Sequence, residues 1–353
     1  MFQRFMLLVL FVLILAACGE TASTTSTTET TVPPTTESQG AVTDTTSTDL
    51  RKVTLALSFT PNVQFAPYYV AAAKGYYAEA GLDVAFDYNF ENDVTQRAAT
   101  WPASQVEFAT TSGTSVLLAR QQGLPVKTVL TLYQQFPVVF FSKANVALAS
   151  PQDLKGKSIG IPGRFGESYY ALLALLYAEN LQESDLNVQE IGFTQAQAVL
   201  EDKVQVATGY GMNEPVLLRQ QGQEANVLRV ADVFPLAANG IAVSEQLIAQ
   251  EPDLVRGFVQ ASLRGLQDTL DDPEAAFAIS VEQVPEAQLG DPDFQRQVLQ
   301  ESLPYWYSDQ TTTEGLGYTD LETWQQTAEL MLAAELLTGP MNVEDGFTNE
   351  FIK

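Results

Sequence analysis

The stretch "VTLALSFTPNVQFAPYYVAAAKGYYAEAGLDVAFDYN", residues 53–89, holds a complete strand–turn–helix–strand unit. "VTLALSF" reads as a strand that breaks at Pro61-Asn62. "PYYVAAAKGYYAEAG" reads as an alanine-rich helix stopped by Gly81. "LDVAFDYN" is the next strand. Rings crowd this unit: Tyr69, Tyr76 and Tyr77 are assigned mainly to packing the helix on the sheet, whereas Phe59, Phe65 and Tyr68 stand near the turn.

The same alternation runs outward from that unit. "VEFATTS" and "VKTVLTLY" are strands separated by the helix "GTSVLLARQQG". A second set starts near Pro151, with strands in "PQDLKGKSIGIPG", "LNVQEIGF", "VQVATGYG" and "ANVLRVADV" and helices between them. Regular βα alternation predicts largely parallel sheets covered by helices. After about residue 237 the chain turns mostly helical. Two strand-like crossovers, "VVFFSKANV" (138–146) and "FPLAANGIAV" (234–243), lead into and out of the second set. The expectation is an α/β protein of two lobes joined by a two-strand hinge. Residues 51–142 and 236–353 form the first lobe and residues 143–235 the second. Ligands of open α/β sheets bind beyond the carboxyl ends of the strands, so the lobes enclose a cleft.

The amino terminus carries a different signal. "MFQRFMLLVLFVLILAACGE" has a basic residue, an apolar core and then Leu15-Ala16-Ala17-Cys18. Residues 1–17 read as a signal peptide. The run before Cys18, the only cysteine of the chain, resembles the lipobox of bacterial lipoproteins, which makes Cys18 the lipidation site. Residues 18–50 are rich in threonine and serine and too poor in apolar groups to fold, so they read as a tether. The chain is then expected outside the cytoplasmic membrane, held on its outer face by lipid alone.

Composition narrows the function further. The net charge is −25, from 18 basic and 43 acidic residues, which disfavours nucleic acid as a partner. There is no histidine, so a Ser-His-Asp hydrolase, a Cys-His protease and a His-ligated zinc site are excluded.

"TPN" with "YYVAAAKGYYAEAGLDV", "DLKGKSIGIPG", "VQVATGYGMNEP" and "EPDLVRGFVQASLRG" together resemble the solute-binding proteins of ABC importers. The branch is the one related to thiamin-pyrimidine synthases and sulfonate binders, and the likeness spans about residues 53–338. It implies a two-lobed periplasmic-binding-protein fold of type II, monomeric, working with an ABC permease and its ATPase and carrying no cofactor. Thiamin-pyrimidine proteins usually have tryptophan before "PN" and histidine shortly after it. Here Phe59 and either Gln64 or Phe65 stand there, which argues against the synthase reaction. Lipobox, tether, missing histidine and many rings are most similar to the riboflavin-binding lipoproteins of that family. A thiamin pyrimidine precursor, of the hydroxymethylpyrimidine or formylaminopyrimidine type, is the alternative ligand. A metal protein using Tyr68-Tyr69 or Tyr169-Tyr170, or an enzyme, are the remote alternatives.

A planar heteroaromatic guest needs flat apolar faces and neutral hydrogen-bonding groups at its edge. Five turns that follow strands offer them. The first holds Ser58, Phe59 and Asn62, with Phe65 just after. Asn62 either meets a ring edge or caps the helix, and Phe65 either faces the cleft or packs in the core. The second holds Thr110, Thr111 and Ser112. The third holds Tyr133, Gln134 and Gln135, of which side-chain alternation turns one glutamine to the cleft. The fourth holds Arg164, Phe165, Gly166, Ser168 and Tyr169. Arg164 either donates to ring carbonyls or lies on the surface. The fifth holds Tyr210 as a possible ring and Asn213 or Glu214 as an acceptor.

Overall fold

The computed structural model describes residues 50–89, 93–285 and 290–353. The expected signal segment, Cys18 and nearly all of the tether lie outside the described residues.

The first sheet contains β1 (Arg51–Ala56), β2 (Leu82–Asp87), β3 (Phe108–Ser112) and β4 (Val126–Thr131). The second contains β5 (Val138–Lys143), β6 (Ser158–Ile161), β7 (Asn187–Glu190), β8 (Val206–Tyr210) and β9 (Ala225–Arg229). The chain then returns to the first sheet as β10 (Asn239–Ser244). The spatial orders are β2-β1-β3-β10-β4 and β7-β6-β8-β5-β9.

Within each sheet the strands linked through helices pair in parallel: β2 and β3 with β1, and β7 and β8 with β6. One strand in each is reversed. β10 runs antiparallel to β3 and β4, and β5 antiparallel to β8 and β9. These are the two expected crossovers, and their direction has a simple cause. β4 ends at the carboxyl edge of its sheet, and the chain passes straight to β5. β5 therefore starts at the edge where its parallel neighbours end. β9 feeds β10 in the same way. The edges where the parallel strands end face each other, and the two linkers, 132–137 and 230–238, lie between them.

The helical segment after the first turn is divided where a single helix was expected. α1 (Ala66–Ala73) stops at Gly75, whose φ of 76° lies in the left-handed region, and α2 (Tyr76–Glu79) follows. Glycine adopts that conformation without a Cβ penalty. The remaining helices that matter for the site are α3 (Val94–Ala99), α4 (Gly113–Gln121), α5 (Gly166–Ala178), α6 (Gln195–Leu200) and α7 (Glu214–Gln220). They are followed by α8 (Glu245–Gln250), α9 (Pro252–Asp271), α10 (Pro273–Gln283) and α11 (Pro292–Ser302).

α9 buries Val255, Phe258, Val259, Ser262, Gly265, Leu266 and Thr269, one face of an amphipathic helix laid on α1. Phe258 stacks on Phe108 of β3 with centroids 3.7 Å apart and on Tyr77 at 5.2 Å. The Tyr77 hydroxyl lies 2.9 Å from Ser262 Oγ. Tyr69 meets Phe86 edge-on at 5.3 Å and its hydroxyl pairs with that of Tyr88 at 2.9 Å. Tyr69 thus holds α1 to the sheet, as the sequence suggests, whereas Tyr77 joins α2 to α9.

A methyl group placed on Gly265 would stand 2.1 Å from the Pro67 carbonyl oxygen. Backbone cannot yield there as a flexible side chain can. Gly265→Ala is expected to destabilise the protein by about 2 kcal/mol, read as a lower urea midpoint at unchanged slope. An unchanged midpoint would mean that α9 is free to ride away from α1.

Candidate ligand-binding cleft

All five turns lie at the carboxyl edges of their strands, but their side chains have different fates. Ser58 and Thr110 join β1 to β3: the Ser58 N–H donates to Thr110 Oγ1 at 2.8 Å, and that hydroxyl donates to Ser58 Oγ at 3.0 Å. Phe59 is half exposed. Asn62 acts as a cap, its Oδ1 accepting from the Gln64 N–H at 2.9 Å. Phe65 is buried edge-on against Tyr69 at 6.4 Å. Thr111 turns to the opposite sheet face, where its hydroxyl lies 2.7 Å from that of Thr95 on α3.

Ser112 does reach the other lobe. Its Oγ donates to Glu167 Oε1 at 2.6 Å, and Thr114 Oγ1 reaches Oε1 and Oε2 of the same carboxylate at 2.9 and 3.1 Å. Ser112 and Thr114 belong to the β3–α4 turn of the first lobe, Glu167 to the first turn of α5 in the second. Desolvation pushes the Glu167 carboxyl up to about 7, against the pull of the two hydroxyls.

A second bridge lies deeper. The buried Tyr133 hydroxyl donates to Gln64 Oε1 at 3.2 Å, and Gln64 Nε2 donates to Asn213 Oδ1 at 2.9 Å. This joins the turn after β4, the turn before α1 and the turn before α7. Next to Asn213, Glu214 accepts from the Tyr210 N–H at 2.7 Å, and burial raises its carboxyl to about 7. Tyr305 closes over the same place: a side chain on Gly211 would begin 2.2 Å from the Tyr305 hydroxyl. Trp306 stands edge-on to Tyr133 at 6.3 Å. One buried polar atom here, Asn239 Oδ1, has no hydrogen-bond partner, whereas the Trp306 indole N–H lies against the Tyr133 hydroxyl.

Both glutamines of the hinge are engaged. Gln134 Nε2 donates to the Thr131 and Tyr318 carbonyls at 2.8 and 3.1 Å. Gln135 Oε1 accepts from Arg229, whose guanidinium lies 5.1 Å from the Tyr305 ring centre. Arg164 takes the surface alternative, paired with Glu183 at 2.8 and 2.5 Å and with Glu190 at 3.3 Å. Phe165 is 58% exposed and meets Phe193, 79% exposed, edge-on at 6.5 Å. Gly166, with φ of 66°, opens α5, and Ser168 and Tyr169 are half-buried in its first turns.

The structure thus brings together Ser112, Tyr133, Tyr210, Asn213 and Glu214. It turns Asn62, Phe65, Thr111 and Arg164 to structural work. Gln64 as a bridging group, Glu167, Asn239, Tyr305, Trp306 and Phe193 were not singled out as site residues from sequence. Phe193 had a readable signal, since an aromatic residue three positions after a strand, beside a glycine, sits at a carboxyl edge.

The lobes meet directly in this structure. The recess bordered by Tyr133, Gln134, Leu236, Ala238, Tyr318 and Trp324 encloses about 40 Å³, well under the ~300 Å³ at which ligand pockets begin. A larger recess of about 370 Å³, lined by Lys127, Glu245 and Ile248, lies at the amino end of β4, the wrong edge of the sheet for the cleft.

Comparison with known proteins agrees with this architecture. The family description NMT1/THI5 like matches residues 62–276. The riboflavin-binding protein RibY of Chloroflexus aurantiacus is 69% identical over 303 residues, covering 86% of each chain. The formylaminopyrimidine-binding protein of Halalkalibacterium halodurans is 25% identical over 315 residues, 87% of this chain and 93% of that one. Among solved structures, the periplasmic aliphatic sulphonate binding protein SsuA of Escherichia coli matches with a TM-score of 0.64 at 13% identity. That match covers 83% of this chain and 96% of the other and speaks for the fold alone. With the two mixed sheets, the returning strands and the matched span, the chain belongs to the NMT1/THI5-like family and has the two-lobed fold of periplasmic binding proteins.

Proposed function

We propose that this protein is an extracytoplasmic lipoprotein that binds riboflavin and delivers it to the permease of an ABC importer. The observation that carries the reading is the 69% identity, over 86% of the chain, to a riboflavin-binding protein. The cleft suits such a guest. It offers hydroxyls at Ser112 and Thr114, an unpartnered acceptor at Asn239 Oδ1, and rings at Tyr133, Tyr210 and Tyr305. A buried polar atom without a partner costs about 1–3 kcal/mol, so a ligand that satisfies it is favoured over water-excluding closure alone.

The protein binds and does not transform. Its work is a change of population: the Ser112–Glu167 and Gln64–Asn213 bridges part, the guest enters, and the lobes close again with the guest's groups in their place. Export and the lipid on Cys18 rest on the amino-terminal sequence. The second reading, a formylaminopyrimidine-type ligand, is favoured by the 25% identical binding protein of that name.

Titration of riboflavin into the soluble body from residue 49 onward is expected to quench flavin fluorescence with Kd below about 1 μM. Riboflavin at 100 times Kd should raise the unfolding free energy by about 2.7 kcal/mol. Competition by a thiamin pyrimidine at equal concentration would transfer the assignment to that ligand.

Cys18→Ser in the full chain, expressed in a bacterium that processes lipoproteins, is expected to move the protein from the membrane pellet to the soluble fraction. Retention in the pellet would remove the lipid anchor from the reading.

The raised carboxyls set the pH response. Glu167 has a folded value of about 7 against 4.5 in the open chain, as does Glu214. Below 4.5 both states hold the proton. Between 4.5 and about 7 the unfolded chain gives it up first, so stability falls as pH rises and then levels off. The ligand-free protein is therefore expected to melt at a higher temperature at pH 5 than at pH 7.5. Glu167→Gln should flatten part of that slope. Tyr170 and Tyr210, which also face Glu167, do not ionise in this range. An identical slope in the variant would show that Glu167 lies in water.

A further inference from the structure

We propose that the β3–α4 turn, with Glu167 opposite, receives the ribityl chain of the flavin, and that Glu167 together with Glu214 bars the phosphorylated vitamin. The inference rests on the riboflavin reading and adds to it an orientation and a selectivity.

Orientation follows from where the polar and the flat surfaces lie. Ser112 Oγ, Thr114 Oγ1, Ser115 Oγ and the Glu167 carboxylate form a close mesh, with contacts of 2.6, 2.7, 2.9, 3.0 and 3.1 Å. Ser112 and Thr114 are buried. Such a mesh of alternating donors and acceptors matches a run of neighbouring hydroxyls. It offers nothing to the face of a ring, which needs apolar or aromatic contact. Aromatic surface is instead exposed farther out on the same lobe. Phe165 immediately precedes α5, and its neighbour Phe193 follows β7, so both stand at the carboxyl edge. A flavin entering with its polyol inward sets its hydroxyls against Ser112, Thr114 and Glu167 and its ring system toward that rim.

Selectivity follows from charge. A phosphate ester on the end of the polyol carries about −1.5 to −2 at neutral pH. A helix amino terminus ordinarily welcomes such a group. At α5, however, the second residue is Glu167, whose carboxylate already takes the hydroxyls. Glu214 adds a second carboxylate beside Tyr210, whose ionisation is opposed first by burial and then by both glutamates. Among the described residues, no cation lies against either carboxylate. Arg164 is spent on Glu183 and Glu190, and Arg229 sits at the hinge, bonded to the neutral Gln135 with Asp232 3.9 Å away. Like charges brought together out of water repel strongly, and selectivity is the difference between two affinities.

The test is fluorescence titration at pH 8 of riboflavin, riboflavin 5′-phosphate and lumiflavin, the flavin ring with a methyl group in place of the ribityl chain. The proteins are the wild type, Glu167→Gln, Glu214→Gln and the double variant, with folding checked by melting temperature. The wild type should prefer riboflavin to its phosphate by about 10- to 100-fold. Glu167→Gln should narrow that ratio several-fold, and the double variant further. Lumiflavin should bind the wild type more weakly than riboflavin, which tests the polyol end without any substitution. Equal affinity for riboflavin and its phosphate, a ratio unmoved by the substitutions, or lumiflavin as tight as riboflavin would each overturn the inference while leaving a flavin-binding protein. Absence of binding by all three would overturn the riboflavin reading itself, and the inference with it.

Discussion

The chain crosses between its two sheets twice, and each crossing strand has to start at the edge where its new neighbours end. That constraint orders the rest of the molecule. β5 lies between β8 and β9, and β10 between β3 and β4, each hydrogen-bonded on both sides. Val138, Val139, Phe140, Phe141 and Ser142 are all buried, as are Ile241, Ala242, Val243 and Ser244. Strands so placed cannot slide without breaking two ladders. Motion between the lobes therefore falls to the linkers 132–137 and 230–238. Tyr133, Gln134 and Gln135 lie in the first linker, and Asn239 directly follows the second. The hinge and the wall of the cleft are the same few residues, so a guest that touches the wall also sets the angle.

Energetics at the lobe contact are close to balance, which suits a carrier. Withdrawing a carboxylate from water costs several kcal/mol. Hydrogen bonds to a charged acceptor each return about 1.5–3 kcal/mol. Glu167 accepts from two hydroxyls, that of Ser112 and that of Thr114, whose proton is shared between the two carboxylate oxygens, and its raised ionisation range records that they do not fully offset the burial. The Gln64–Asn213 bridge is neutral and adds about 1 kcal/mol. A contact of this kind holds the lobes together loosely, so modest binding energy suffices to replace it.

Much of this architecture is written in periodicity and punctuation. The ten described strands follow the apolar runs because β pairing rewards them, and the crossovers are visible as strand-like runs between two βα sets. What escapes is partnership at a distance. Gly75 looks like an interior helix residue until its left-handed φ shows the break. Asn62 has the chemistry of either a cap or a ligand group, and only the 2.9 Å contact to the Gln64 N–H selects the cap. Arg164 is drawn away by Glu183 and Glu190, one across a helix and one across a strand. Glu167 is the instructive miss. An acid in the first turn of a helix is locally favourable, so its residue type alone gives no reason to suspect a contact with Ser112, 55 positions away.

The division of rings between core and rim bears on how such a cleft gains affinity. Phe108, Tyr77 and Phe258 already bury one another and contribute nothing further when a guest arrives. Phe165 and Phe193 do the reverse, for they keep 58% and 79% of their surface in water. Covering one phenyl side chain is worth about 1.5–3 kcal/mol. Covering what is still exposed of the two supplies roughly 2–4 kcal/mol of the ~8 kcal/mol that micromolar binding requires, before the cost of ordering the guest. The remainder has to come from hydrogen bonds in the hydroxyl mesh and from satisfying Asn239 Oδ1. Rings alone therefore do not make the affinity, and hydroxyls alone do not either. A guest flat at one end and hydroxylated at the other draws on both.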